Sequence, residues 1–211
     1  MKVLYFDTET TGLDPELNDV IQIAAIVEID GVEKGRCNLW CQPINWDTIA
    51  EEALETVGVT RENLKKMRSP KACHDLFVKF MKKYVIPYDK KDKFIPVAYN
   101  GEFDINMLSS WFKKLKDDYF FSFVAGHKLA DPLQYVRLLE YFGVDFSKAK
   151  NRKLETMCQL FDIPLRAHDA FSDIAATKML LEKLKGMFHN QYSQEFYNKG
   201  GFNVQTALSH Q

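Results

Sequence analysis

Apolar positions near the start of this chain come in unbroken runs. Val3-Leu4-Tyr5-Phe6 reads as a strand over residues 2–7, covered on both faces. Val20-Ile21-Gln22-Ile23-Ala24-Ala25-Ile26-Val27 predicts a second strand over 19–29, and residues 36–42 a third. Leu13-Asp14-Pro15 and Asp30-Gly31 supply turns short enough for antiparallel pairing. Helices are predicted near 48–56, 60–66 and 70–84, the last opened by Ser69-Pro70 in cap and first-turn positions. A strand over 94–99, a helix over 101–115 and a strand near 127–130 follow. Helices near 132–142, 152–161 and 169–185 complete the pattern. Three antiparallel strands and then alternating helix and strand predict an α/β fold, a mixed five-stranded sheet flanked by helices.

Several acids break this pattern. Asp7 and Glu9 close the first apolar run two positions apart, so an extended chain projects them to one side. Asn100 suits a helix N-cap after Phe94-Ile95-Pro96-Val97-Ala98-Tyr99. In the helix that follows, Asp104 shares a stripe with Leu108, Trp111 and Leu115, at spacings of four, three and four. Asp173 shares one with Leu180 and Leu184, with Ala176 beside it and His168 just ahead. Asp169 lies four before Asp173, so spacing alone leaves the choice between them open. Four carboxylates pointing inward repel each other and lose hydration. A hard divalent cation bound by their oxygens resolves the conflict.

The set resembles the DEDD family of 3′-to-5′ exonucleases, in the branch with a catalytic histidine. Asp7 and Glu9 match its Asp-x-Glu motif, and Asn100, Phe103 and Asp104 its Asn-x-x-Phe-Asp motif. His168, Ala170 and Asp173 match His-x-Ala-x-x-Asp. Leu129-Ala130-Asp131-Pro132-Leu133 and Leu154-Glu155-Thr156-Met157-Cys158 are family-like too, and the likeness runs from residue 1 to about 185. The resemblance implies a ribonuclease H-like architecture and two Mg²⁺ or Mn²⁺ ions. It implies Asp7 bridging both ions, Glu9 and Asp173 completing one site, Asp104 supporting the other, and His168 as general base. Thr10, Asn100 and Phe103 match positions that meet the terminal nucleotide in the family. Their alternative roles are turn residue, N-cap and core aromatic. The implied function is release of nucleoside 5′-monophosphates from single-stranded DNA 3′ ends, in proofreading or repair, with a separate DNA polymerase as partner. The same chemistry on RNA is the alternative, and a non-catalytic nucleic-acid-binding module a third that the intact acid set argues against.

Bulk properties narrow this little. A chain of 211 residues, 46% hydrophobic and 27% charged, suits one globular core. An exonuclease domain is expected over 1–185, with 186–211 a tail of different character. No apolar run approaches membrane-spanning length and Asp7 interrupts the first too early for a signal peptide, so a cytoplasmic protein with no membrane partner is expected. Cys37, Cys41, Cys73 and Cys158 read as small buried hydrophobes in a reducing compartment. The net charge of −1 conceals an asymmetry. Residues 1–30 hold seven acids and one lysine, whereas 61–93 hold eleven Lys/Arg and four acids. Lys148-Ala149-Lys150-Asn151-Arg152-Lys153 adds a second basic cluster. Acids repel a phosphodiester, so flanking cations are candidates for holding it.

Overall fold

A computed structural model describes residues 1–166 and 170–198, with side chains as far as Met187. Strands β1 (Lys2–Thr10), β2 (Val20–Ile29) and β3 (Val32–Trp40) form an antiparallel meander, and β4 (Ile95–Val97) pairs parallel with β1. The sheet order is β3-β2-β1-β4. Helices α1 (Glu51–Val57), α2 (Arg61–Lys65) and α3 (Pro70–Met81) fill the connection from β3 to β4. Helix α4 (Gly101–Lys114) follows β4, and α5 (Pro132–Tyr141), α6 (Leu154–Leu160) and α7 (Ala170–Asn198) follow in turn. Helix α7 continues past its predicted end at 185. No helix among the described residues is long and apolar enough to cross a membrane.

The fifth expected strand is not a strand among the described residues. Gly126–Lys128 winds into a 3₁₀ turn, and only Ala130 reaches the sheet, through one bridge to Val97 and an N–H donated to the Pro96 carbonyl at 2.9 Å. Pro132 then opens α5 and has no N–H to offer a ladder. The architecture is therefore a four-stranded mixed sheet flanked by helices.

Alternation along β1 divides the molecule into two packed layers. Leu4 and Phe6 face a core shared with Phe77 of α3 and with Leu108, Trp111 and Phe112 of α4. Val3 and Tyr5 face the other way, onto Ala170 and Ile174 of α7. Fully burying such side chains stabilises the fold by about 1.5–3 kcal/mol each. The two layers bring the first turns of α4 and α7 to opposite faces of the same strand end.

Candidate active site

Asp7 and Glu9 continue the β1 face that carries Val3 and Tyr5, and so project toward α7. Asp7 stands opposite Ala24, and Glu9 stands opposite Gln22. The Gln22 amide is turned aside, donating to Asn38 Oδ1 at 2.8 Å. Asp173, in the first turn of α7, meets both strand acids. One carboxylate oxygen from each of Asp7, Glu9 and Asp173 lies within 4.8 Å of the others.

Asp104 arrives from the opposite layer and is only 4% exposed. Strand β4 pairs with β1 no further than Tyr5, so the edge of β1 beyond that point has no strand partner on this side. Asp104 Oδ1 takes the place of one. It accepts the Thr8 N–H at 3.0 Å and the Thr8 hydroxyl at 2.6 Å.

Burial and mutual repulsion hold these acids protonated well above the usual carboxylate range. Burial pushes Asp7 far up, and Asp104, Glu9 and Asp173 add to it. Glu9 rises to about 8, from burial and then from Asp173 and Asp104. Asp104 rises to about 7 through burial, with the Thr8 hydrogen bonds opposing and Asp131 adding. Burial, then Asp173, raises the nearby Cys158 thiol to about 11. Among the described residues no lysine or arginine forms an ion pair with Asp7, Glu9 or Asp104. An all-oxygen donor set of this charge and spacing suits a hard divalent cation.

The remaining expected residues divide. Asn100 does precede α4, but its side chain makes no capping bond. It is exposed and left-handed, with φ 55°, a conformation asparagine tolerates. Its backbone N–H instead donates to Asp131 Oδ1 at 2.9 Å, and the same oxygen accepts the Leu133 N–H at 2.9 Å. Asp131 thus ties the start of α4 to the start of α5, a positioning role that the three motifs do not contain. Its signal was an acid followed by proline, the N-cap and first-turn pair. Thr10 is buried, its hydroxyl donating to the Gly12 carbonyl at 2.7 Å. Phe103 is half-buried against the main core, and Trp111 lies wholly within it. His168 and Asp169 lie outside the described residues.

The basic segment over 61–93 is not one surface. Arg61 pairs with Glu51, Lys65 with Glu62 and Lys71 with Asp75. In the second cluster Arg152 pairs with Glu140.

The family model RNase_T, described as exonuclease, matches residues 4–181, a span that includes all four acids. Over 180 residues the chain is 28% identical to the PolC-type DNA polymerase III of Halalkalibacterium halodurans, covering 85% of this chain and 11% of that protein. Against the Thermotoga petrophila PolC-type enzyme the identity is 31% over 109 residues, 52% of this chain and 7% of that one. The chain therefore spans a small fraction of the length of these relatives. Its fold matches that of E. coli exonuclease I, solved with a dT13 oligonucleotide, at a TM-score of 0.69 and 20% identity. That match covers 93% of this chain and 43% of the other.

Proposed function

This chain belongs to the RNase_T exonuclease family, and we propose that it is a 3′-to-5′ exonuclease that trims single-stranded DNA ends with two Mg²⁺ or Mn²⁺ ions. The observation that carries this is the convergence of Asp7, Glu9 and Asp173 within 4.8 Å, with Asp104 close enough to raise the Asp7 carboxyl. Asp7 would contribute to both ions, Glu9 and Asp173 to one, and Asp104 to the other. When bound, such ions lower the pKa of the attacking water and stabilise the departing 3′ oxygen.

The chain's own residues do the rest. His168 accepts a proton from the water that attacks the terminal phosphorus, a role open to imidazole because its ordinary pKa is near 6.5. The bond from phosphorus to the 3′ oxygen breaks, that oxygen leaves with the electron pair and takes a proton from solvent, and a nucleoside 5′-monophosphate departs. Thr10, Asn100 and Phe103 meet the terminal nucleotide. Asp131 fixes where Asp104 sits by anchoring the first residues of α4. The catalytic unit comprises residues 1–185, with 186–211 an extension outside the chemistry, and the protein works in the cytoplasm. Likeness to PolC-type polymerases supports proofreading for a separate polymerase, and the oligonucleotide bound to exonuclease I supports a DNA strand.

Matched DNA and RNA oligonucleotides labelled at the 5′ end test the substrate. DNA should shorten stepwise from its 3′ end, RNA at least tenfold more slowly, and a circular single strand should survive. RNA cleaved as fast as DNA would overturn the substrate assignment, and nicking of the circle would overturn the polarity.

A further inference from the structure

A cavity of about 730 Å³ opens on the flank of the sheet beside β4. Its floor is apolar, formed by Ile95, Ile105 and Val124, and its rim carries Lys90, Lys91, Lys93 and Lys128 with His127 and Phe121. Unlike Arg61, Lys65 and Lys71, none of these four lysines pairs with an acid among the described residues. Lys93 donates instead to the Phe121 carbonyl, which fixes it to the rim. Outside that lining, Tyr88 and Tyr119 stand edge to face with ring centres 5.3 Å apart, and both are more than half exposed. An exposed phenylalanine, Phe121, among unpaired cations over an apolar floor suits bases that stack and phosphates that need counter-charge.

The cavity also has a neighbour toward the start of α4. A smaller one, about 370 Å³, shares Ile105 and Gly126 with it and reaches Glu102 and Asp131. Ile105 follows Asp104 directly in α4, and Asp131 is near enough for its charge to be felt at Asp104. The two cavities therefore adjoin at Ile105 and Gly126, the smaller at the starts of α4 and α5 and the larger at a rim where cations attract phosphates.

We propose that the basic cavity beside β4 holds the substrate strand on the 5′ side of its reacting end, with phosphates against Lys90, Lys91 and Lys128 and bases against Phe121. The direction of the strand rests on the 3′-to-5′ exonuclease reading. Its affinity then comes from a surface separate from the carboxylates, and grows once a strand is long enough to reach the cavity.

The test is a triple variant, Lys90→Gln, Lys91→Gln and Lys128→Gln, beside its Lys→Arg counterpart. Binding of a fifteen-nucleotide dT strand is read by anisotropy, with hydrolysis-resistant phosphorothioates at the 3′ end so that capture is judged apart from turnover. Removing three phosphate contacts should lower the slope of log affinity against log salt by about 2, since single strands show roughly 0.7 per contact. The arginine variant should keep the wild-type slope. On cleavable strands the ratio of kcat/KM for the fifteen-mer to that for a dinucleotide should fall at least tenfold. An unchanged slope, or equal loss on both lengths, would overturn the proposal. So would a polyglutamate peptide that binds through these lysines while the dT strand does not. Failure of the wild type to shorten any strand, with lysine-dependent binding intact, would instead fault the exonuclease reading.

Discussion

Two sets of buried acids sit on this sheet, and the same two helices treat them in opposite ways. Asp19, 1% exposed, accepts the Asn45 N–H at 2.7 Å and faces Lys114 Nζ at 3.2 Å, from the end of α4. Glu28, in β2, pairs with Lys178 of α7, which also lies over the Tyr5 ring. At the end of β1 these helices offer acids instead: Asp104 from the first turn of α4 and Asp173 from the first turn of α7. The fold can deliver a lysine where a buried charge is structural. Where it delivers carboxylates to carboxylates, no lysine or arginine among the described residues pairs with Asp7, Glu9 or Asp104. On the reading proposed above the counter-charge is a bound cation, a binding function rather than a stabilising one.

Substitution separates the two sets. Asp7→Ala should abolish strand shortening, a loss of at least about 10³-fold in kcat on the scale of catalytic metal and acid–base groups. In metal-free buffer it should leave the melting temperature unchanged or slightly higher, because a like-charge conflict is relieved. Asp19→Ala should do the reverse. Activity persists, while stability falls by about 1–3 kcal/mol as Lys114 and the Asn45 N–H lose their buried acceptor. Denaturant unfolding and a 5′-label assay on both variants decide the matter, and an Asp7→Ala enzyme that turns over normally would erase the distinction.

His168→Ala should cost somewhat less, about 10²–10⁴-fold in rate, the usual worth of a positioned base. The low-pH limb of the rate profile should change shape with it, and metal should still bind. A near-normal rate with an unchanged pH profile would remove His168 from the chemistry.

Much of this was legible before the fold. The run Val3-Leu4-Tyr5-Phe6 marked β1, and the spacing of Asp7 and Glu9 placed both on one face because strand alternation is strict. The stripe from Asp104 through Leu108 and Trp111 turned inward as its spacing required. What failed was local and short. The segment 127–130 carries apolar residues, yet Gly126 and Pro132 bracket it so closely that only Ala130 joins the sheet. Asn100 sits where an N-cap belongs, but its own side chain does not cap. Asp131, 31 residues later, reaches its backbone, and no sequence window contains that contact. Charge density was the coarsest guide, since the basic stretch 61–93 includes both locally paired residues, Arg61, Lys65 and Lys71, and the unpaired rim at Lys90, Lys91 and Lys93.

The central claim, that these carboxylates are held together for an external cation, is tested most directly by melting temperature against pH, with and without Mn²⁺. In metal-free protein the native state holds protons that the unfolded chain has released, since Glu9 is raised from 4.5 to about 8 and Asp104 from 3.8 to about 7. Stability from these groups is therefore present at low pH and lost as pH climbs between about 5 and 8. Mn²⁺ should raise the melting temperature most at the alkaline end and flatten the decline, by binding the ionised acids of the native state alone. In Asp7→Ala both the decline and the response to Mn²⁺ should shrink. A wild-type curve that is the same with and without Mn²⁺, or that rises between pH 5 and 8 in its absence, would contradict the account.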